Sequence, residues 1–435
     1  MAYDIIIGRD SADKEKFGDK GLIYIGKGYV KMGNYTSLSN KIWMDIARSH
    51  VILICGKRGA GKSYTLSAIA EGLSDLPFDV SKNIASVIFD TMGIFWTMKY
   101  ENEKDSALLD EWQLKTKKLP VKVFIPFGKI EDYKKNMIPF DETFALKASE
   151  LEAEDWITLF NINLTSLPGV LIETSITDLK EKLSNFTIED IQKEIENDKR
   201  AGKETKDIAL ALFRAANSWG IFSKGKEGTE IKDIINPGIT TILDTSIYSS
   251  IGAFNIRALV ISLISRKIFK SRMDSRKKEE LESIQHGQQY LSYSNRKEPL
   301  VWIFVDEIHE FLSKDEKTPA SDALIQLLRE GRQPGISLVM ATQQPGKLHS
   351  DALSQSDIVI SHRITAKPDI EALNEIMQTY LLESIKKQMD DLPSLKGSAI
   401  VLDDNSERIY PIRVRPKFTW HGGEAPSAVK AEMKI

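Results

Sequence analysis

The chain has almost no cysteine, no long apolar run and no strong excess of either charge. Cys55 is the single cysteine among 435 residues, which excludes an internal disulfide and indicates a reducing, intracellular compartment. No apolar run approaches the length that spans a bilayer, and the first residues have neither the basic start nor the long apolar core of a signal peptide. We therefore expect a soluble, cytoplasmic protein with no membrane partner.

The formal net charge of -3 argues against a uniformly basic surface that coats nucleic acid. Any contact with nucleic acid must then come from a localised patch. A solvated helix end explains most charge runs, but such a run can also contact phosphates without reading sequence. The candidate patch is a run of seven basic residues: Arg266, Lys267, Lys270, Arg272, Arg276, Lys277 and Lys278.

The most informative segment is an apolar strand, Val51 to Cys55, that runs directly into GKRGAGKS. This spacing is that of a phosphate-binding loop, in which glycines let successive N–H groups point at one small volume. Lys62 would reach the outer phosphates, Ser63 would offer its hydroxyl to Mg²⁺, and the following helix would direct its positive end at the anion. A glycine-rich turn without a ligand is the alternative. The predicted nucleotide-binding residues are Gly56, Arg58, Gly59, Ala60, Gly61, Lys62, Ser63 and Tyr64.

Several further runs are apolar throughout and are separated by helical stretches. Such runs indicate a mostly parallel sheet with helices on both faces, which is an α/β fold of the P-loop NTPase type. The predicted strands lie at 85–90, 121–126, 239–244, 300–306, 336–342 and 357–361.

The pattern also changes along the chain. Long charged helical segments without strand signals follow residue 140, and the stretch from Gln285 to Glu298 has little apolar periodicity and predicts a mobile loop. The predicted parts are a short N-terminal β element at 1–47, the ATPase core at 48–139 and 233–410, a helical insertion at 140–232, and a C-terminal tail at 411–435.

Two acids, Asp306 and Glu307, end the buried strand LVWIFV. Asp306 is placed to hold Mg²⁺ opposite the Ser63 hydroxyl, and Glu307 can orient and deprotonate an attacking water. The alternative is that the two acids only cap a helix. Gln343, at the tip of the next strand, fits a polar residue that senses the γ-phosphate, although a plain turn before Pro345 explains it too.

Three arginines are candidates for acting on the nucleotide of a neighbouring subunit. Arg329 and Arg332 lie at a helix C-terminus, where the helix dipole alone favours them. In a ring, one of them could place positive charge where the transition state develops negative charge. Arg48, just before the loop strand, is a weaker candidate, because an ordinary surface residue explains it as well.

These motifs together resemble the HerA branch of the FtsK–HerA ATPases, hexameric motors that pump double-stranded DNA. The D-x-x-G segment departs from the family pattern, since Ile94 stands where an acid is usual, and TQQP replaces a box that normally contains arginine. The matching segments are HVILICGKRGAGKSYT (50–65), VIFDTMGIFW (87–96), VWIFVDEIHEF (301–311), LLREGRQPGISLVMATQQPGKL (327–348) and IRVRPKFTWHGGE (412–424).

The resemblance implies a RecA/FtsK-like core, ATP and Mg²⁺ as cofactors, and a homohexamer around double-stranded DNA with a nuclease partner of the NurA type. It implies that Arg332 acts in trans and that a tail containing Arg413 and Arg415 reaches the nucleotide of an adjacent subunit. The implied catalytic residues are Lys62, Glu307, Gln343 and Arg332, and the implied metal-binding residues are Ser63 and Asp306.

Two other functions fit the same residues. A conformational ATPase could pump protein or assemble a complex with no DNA in its pore. A DNA-transfer motor of the conjugation type is the second alternative, which would need an attached membrane partner because the chain shows no membrane segment of its own.

Overall fold

The computed structural model describes residues 4–32, 35–225, 227–249, 254–286, 298–377 and 385–423. Within them, one thirteen-stranded sheet runs through the molecule. Its strands, in chain order, are β1 (Ile5–Ile7), β2 (Leu22–Met32), β3 (Tyr35–Asp45), β4 (Val51–Cys55), β5 (Ile84–Asp90), β6 (Val121–Pro126), β7 (Glu142–Phe144), β8 (Thr240–Asp244), β9 (Leu300–Val305), β10 (Ile336–Thr342), β11 (Ile358–His362), β12 (Ser398–Asp403) and β13 (Arg408–Val414).

The strands lie in the order β1-β3-β2-β13-β12-β11-β4-β10-β9-β5-β8-β6-β7. Every neighbouring pair from β11 across to β7 is parallel. This confirms the mostly parallel α/β sheet, and the predicted strands shift by no more than a residue or two at their ends. Because β4, β10 and β9 are parallel neighbours, their carboxyl ends meet at one edge of the sheet.

The other part of the sheet is antiparallel from β11 through β12, β13 and β2 to β3. The strands within residues 1–47 therefore continue the central sheet. The strand β13 also takes up the first residues of the segment expected to be a tail, so the chain leaves the sheet after Val414. Residues 424–435 of that segment lie outside the described part.

Helices cover both faces of the sheet. Alternate residues of β4 supply different cores: Leu53 belongs to a cluster on one face and Ile54 to a cluster on the other. The helices are α1 (Ser11–Phe17), α2 (Lys62–Ser74), α3 (Phe78–Ser81), α4 (Ser106–Glu111), α5 (Ile130–Lys135), α6 (Ala153–Leu159), α7 (Leu167–Lys182), α8 (Ile188–Asn197), α9 (Lys203–Ser218), α10 (Ile231–Ile234), α11 (Phe254–His286), α12 (Ser321–Glu330), α13 (Ser350–Ser354), α14 (Lys367–Met377) and α15 (Ile385–Asp390).

The segment 140–232 contains the helices α6 to α9, joined to the sheet through buried aromatic residues such as Trp156 and Phe213. It is not free of strands, because β7 forms the last strand of the sheet; with three residues, β7 is too short to give a periodic signal. The predicted loop at 285–298 begins as the end of α11, and residues 287–297 lie outside the described residues.

Candidate functional site

The loop after β4 has the backbone of a phosphate-binding loop. Gly59 and Gly61 have φ angles of 74° and 113°, a region that residues with a Cβ adopt only with strain. The helix α2 starts directly after them, and no side chain accepts a hydrogen bond from its first N–H groups. A helix that begins without a side-chain cap presents its N–H donors and its positive dipole end to an anion.

The side chains of the loop separate into inward and outward groups. The Ala60 N–H donates to the Lys57 carbonyl at 3.1 Å and closes the loop, while Arg58 is exposed. The Lys62 side chain turns inward and is buried, with its Nζ 3.5 Å from the Lys57 carbonyl oxygen. Burial lowers the pKa of Lys62, and the nearby carboxylates act in the opposite direction. This ammonium group is therefore held close to the acids.

Gly56 is required for a different reason, which is the close approach of His362 at the end of β11. A Cβ on Gly56 would lie 2.8 Å from the His362 Cβ. The His362 ring is buried between Ser398, whose carbonyl lies 3.0 Å from Nδ1, and Thr65, whose hydroxyl lies 2.8 Å from Nε2. Burial lowers the pKa of His362 to about 4, so this ring is neutral at pH 7. The neutral His362 side chain therefore packs against the phosphate loop without adding a charge to it.

Ser63 and Asp306 meet as expected. The Ser63 hydroxyl donates to Asp306 Oδ2 at 2.5 Å, across the edge of the sheet. Burial raises the pKa of Asp306 to about 6, which leaves the carboxylate mainly ionised at pH 7. A hydroxyl and a carboxylate beside a phosphate loop form the hard oxygen donor set that Mg²⁺ prefers, so the residues present fit this ion.

Glu307 has an unusual backbone and an unsatisfied carboxylate. Its φ angle is 50°, a left-handed conformation that costs energy for a residue other than glycine and recurs at active sites. Its Oε1 accepts a hydrogen bond from Gln343 Nε2. Among the described residues, no donor reaches its buried Oε2, and the His309 ring lies 3.5 Å away. This oxygen is an acceptor held ready for a donor that comes from outside the chain.

His309 lies between the two motifs. Its Nδ1 is 3.3 Å from the Thr342 hydroxyl, so the ring connects the turn after β9 to the end of β10. Burial lowers the pKa of His309 below its ordinary value, and this favours the neutral ring. The described residues include no group of three or more His, Cys, Asp or Glu that could hold a metal ion.

A second pair of acids was assigned no role from the sequence. Asp90 and Asp244 are paired neighbours at the ends of β5 and β8. Asp90 accepts from the backbone N–H groups of Gly93 at 2.7 Å and Phe95 at 2.8 Å, and so it shapes the D-x-x-G segment. Burial, with the charge of Asp244, raises the pKa of Asp90 to about 7. The sequence contained a signal for a polar site at Asp90, because Asp90 ends an apolar strand just as Asp306 follows one.

The arginines that are candidates for acting on a neighbouring subunit lie at the edge of the sheet opposite the phosphate loop. Arg48 precedes β4 and Arg332 precedes β10, whereas the phosphate loop follows β4; the five residues of β4 separate the two edges by about 16 Å. Both arginines line one surface cavity of about 400 Å³. Arg329 does not line this cavity and is instead paired with Asp351 at 2.7 Å. Neither Arg48 nor Arg332 is on the side of the phosphate loop of its own chain.

Arg415 does not extend toward a neighbour, which corrects the expectation for the tail. Its guanidinium is fully buried and donates to Glu71 of α2 at 2.9 Å and to the Ala68 carbonyl at 2.7 Å. Glu71 is itself fully buried. A buried carboxylate attracts the nearest cation strongly, and this explains the placement in the same chain. Arg413 lies on β13 with its guanidinium 5.9 Å from the Trp112 ring centroid.

The residues after Arg415 run along α2 toward the phosphate loop of the same chain. The Lys417 N–H donates to the Tyr64 hydroxyl at 2.7 Å, and the His421 ring meets the Tyr64 ring edge-on at 5.1 Å. Tyr64 directly follows Ser63. The described part of the tail therefore packs beside its own nucleotide site.

We expect Arg415→Met to lower the free energy of unfolding by about 3–5 kcal/mol, because the buried Glu71 carboxylate loses its hydrogen-bonded cation and keeps only the Lys417 ammonium, 4.0 Å away. Chemical denaturation of the purified chain measures this loss. Arg413→Met is the matched control two residues earlier, and its effect should stay within about 1 kcal/mol, since it removes only a contact with an aromatic ring. Equal midpoints for the two variants would contradict the buried pairing.

The basic run on α11 is largely neutralised within the chain. Only Lys270, Lys277 and Lys278 are exposed. The seven charges of the candidate patch therefore do not form one exposed basic surface. The other four have partners: Arg266 with Asp155 at 2.8 Å, Lys267 with Glu150 at 2.9 Å, Arg272 with the Pro334 carbonyl at 2.9 Å, and Arg276 with Glu280 at 2.9 Å.

In the described ranges, no helix has the length and apolar character that crossing a membrane requires.

The fold and the site together define a P-loop ATPase: a parallel sheet with a phosphate loop after one strand, a carboxylate pair after a second and a polar residue after a third. The sequence matches the family described as "Helicase HerA, central domain" over residues 30–268, which is more than half of the chain. The chain belongs to this HerA family, within the FtsK–HerA superfamily.

Individual relatives agree with this assignment. The chain is 24% identical over 265 residues to a DNA double-strand break repair helicase HerA of Pyrococcus furiosus, a match that covers 57% of this chain and 46% of the relative. It is 25% identical over 228 residues to the protein of the same name from Sulfolobus acidocaldarius, covering 51% of this chain and 39% of the relative. The chain thus spans less than half the length of these curated relatives.

The solved structure of VirB4 of Thermoanaerobacter pseudethanolicus superposes with a TM-score of 0.59, covering 92% of this chain and 97% of that one, at 11% identity. At this identity the likeness concerns the fold alone.

Proposed function

We propose that this chain is a subunit of an ATP-hydrolysing, Mg²⁺-dependent homohexamer that moves double-stranded DNA and works with a nuclease. One observation carries the ATPase part of the proposal. Three adjacent parallel strands bring Lys62 and Ser63, the pair Asp306 and Glu307, and Gln343 to one edge of the sheet. Each of these groups has a separate task in phosphoryl transfer.

The tasks follow from the geometry. The first N–H groups of α2 and the Lys62 ammonium hold the outer phosphates. Ser63 and Asp306 would hold Mg²⁺, which neutralises charge on the phosphates when it is bound. Glu307 Oε2, which has no donor from the described residues, accepts the proton of the attacking water. Gln343 holds Oε1 and so fixes the orientation of the carboxylate relative to that water.

The ring would bring the two candidate arginines to a nucleotide. Arg48 and Arg332 lie at the edge of the sheet opposite the phosphate loop of their own chain. In a head-to-tail ring, the cavity of one subunit faces the loop edge of the next, and this arrangement brings those arginines to a neighbour's triphosphate. The position of Arg48 and Arg332 in one cavity supports this arrangement.

The proposal of DNA depends on the HerA family and on its relatives named as DNA double-strand break repair helicases. The proposal of a nuclease depends only on the sequence resemblance to the HerA branch. Because the basic run on α11 is partly neutralised, a second candidate function remains: a ring that pumps protein or remodels a complex with no DNA in its pore. Lys270, Lys277 and Lys278 remain exposed for phosphate contacts.

We expect duplex DNA to stimulate ATP hydrolysis, and we expect the stimulation to decline steeply as salt rises from about 50 to 200 mM, because phosphate contacts release counterions. Steady-state phosphate release with and without duplex measures this, and native mass spectrometry of the same samples gives the subunit number. A rate of ATP hydrolysis that does not change with duplex DNA but increases with an unfolded polypeptide would favour the ring that pumps protein. A chain that remains a monomer with both ATP and duplex present would contradict the ring.

A further inference from the structure

Arg48, one of the arginines that line the cavity, is held by a carboxylate of the short helix α1. Its Nε and Nη2 donate to the two oxygens of Asp13 at 2.8 and 2.7 Å. The same guanidinium lies 5.4 Å from the centroid of the Phe17 ring, one helical turn further along α1. The hydrogen bond from Arg48 is the largest cause of the lowered pKa of Asp13. Two side chains of α1 thus hold one arginine.

The helix α1 is itself anchored to the sheet. Arg9, just before it, is buried against Asp45 and donates to the carbonyl oxygens of Gly18 at 2.6 Å and Lys20 at 2.8 Å, just after it. Asp10 caps its first turn by accepting from the Asp13 N–H at 2.7 Å. Asp13 therefore has a defined position, and the long side chain of Arg48 is the part that can move.

Arg332 is held differently. A single nitrogen, Nη2, donates to Asp357 at 2.9 Å. Asp357 is buried and also accepts from the Val51 N–H at 2.8 Å and from the His50 ring at 2.7 Å, so it serves the start of β4 whether or not Arg332 is present. This bond uses one nitrogen, and the side chain is 62% exposed, so further N–H groups of Arg332 can contact a phosphate.

A guanidinium binds a carboxylate and a phosphate through the same planar pair of N–H donors. Because Asp13 occupies the Nε and Nη2 face of Arg48, that face can contact a phosphate only after the ion pair with Asp13 opens. The Arg48 side chain is 53% exposed and the Asp13 side chain 15% exposed, so the arginine is open to solvent and an anion with several negative charges can compete with Asp13 for the same donors.

We propose that Asp13 is a positioning residue that holds Arg48 back and releases it when the triphosphate of a neighbouring subunit reaches the cavity. This inference depends on the proposed function, because it requires a second copy of this chain in front of the cavity. It assigns Arg48 the role of a gated arginine and Arg332 the role of one that is already available.

The test is a double-mutant cycle on the assembled protein with saturating Mg²⁺ and ATP. We expect Asp13→Asn to raise kcat by about two- to fivefold with little change in KM, since the cost of opening the ion pair with Arg48 is removed. Asp13→Glu should restore values near wild type. Glu15→Gln removes one exposed carboxylate from the same helix without touching Arg48 and is the matched control. All variants should unfold at the wild-type temperature.

Arg48→Met should lower kcat, and adding Asp13→Asn to it should then change nothing. An increase from Asp13→Asn that persists without Arg48, or an unchanged kcat in Asp13→Asn, would overturn the inference. If Arg48→Met has no effect while Arg332→Ala poisons mixed rings, the inference fails and the proposed ring function stands. If neither arginine matters to a neighbour, the proposed function fails as well.

Discussion

Glu307→Gln is expected to bind ATP normally and to hydrolyse it about 10²- to 10⁴-fold more slowly than the wild type. The amide has nearly the same shape as the carboxylate but cannot take a proton from water. The buried Oε2 of Glu307 is the acceptor that the water would use. Equilibrium binding of a labelled nucleotide and steady-state phosphate release, measured on the same preparation, separate the two effects.

Glu316→Gln is a suitable control, because Glu316 is an exposed acid in the same segment of the chain. It should hydrolyse ATP at the wild-type rate. Turnover near the wild-type value in Glu307→Gln would show that another group activates the water. Loss of binding together with turnover would instead indicate that the left-handed backbone at Glu307 fails to form with glutamine.

Arg332→Ala is expected to retain nucleotide affinity and to lose about 10³- to 10⁵-fold in turnover, the range seen when an arginine that stabilises phosphoryl transfer is removed. The physical reason is that its positive charge acts where the γ-phosphate of a neighbour develops negative charge. Because the residue serves the adjacent site, wild-type rings doped with the variant should lose activity more steeply than the share of variant subunits.

Arg329→Ala gives the control from the same helix end. Arg329 is paired with Asp351 and does not line the cavity, so its loss should leave mixed rings close to the wild type. Activity that falls only in proportion to the content of Arg332→Ala subunits would rule out action across a subunit boundary. Any loss should also be checked against folding, although Arg332 is 62% exposed and its replacement removes little packing.

The local parts of this molecule could be predicted from residue patterns. The phosphate loop needs glycine at positions 59 and 61 because both residues have positive φ angles. Both glycines belong to one contiguous sequence motif, so the loop can be recognised from the sequence. Buried parallel strands such as β5 and β10 are apolar throughout and are recognisable without any knowledge of their neighbours. The meeting of Ser63 and Asp306 followed, because carboxyl ends of adjacent parallel strands share one edge.

The missed parts depend on contacts between residues far apart in the chain. The strands β12 and β13 were not among the predicted strands, although β12 is apolar through its centre, and the pairing of β13 with β2 is a long-range event. The contact between the His362 side chain and Gly56 joins the ends of β4 and β11, which lie far apart in the chain. The basic run on α11 looked like a patch because the acids that pair with Arg266 and Lys267 are more than a hundred residues away.

The sequence by itself determined the class of chemistry. A glycine loop with Lys62 and Ser63, and two acids at the end of an apolar strand, are local arrangements that few backbones other than a P-loop core can accommodate. The tertiary structure alone decided which charges are available. Burial ties Arg415 to Glu71 within the chain and leaves Arg48 and Arg332 in a cavity. The physical reason is that the energy of a charge depends on its solvation and on its nearest partner, and both are set by the fold.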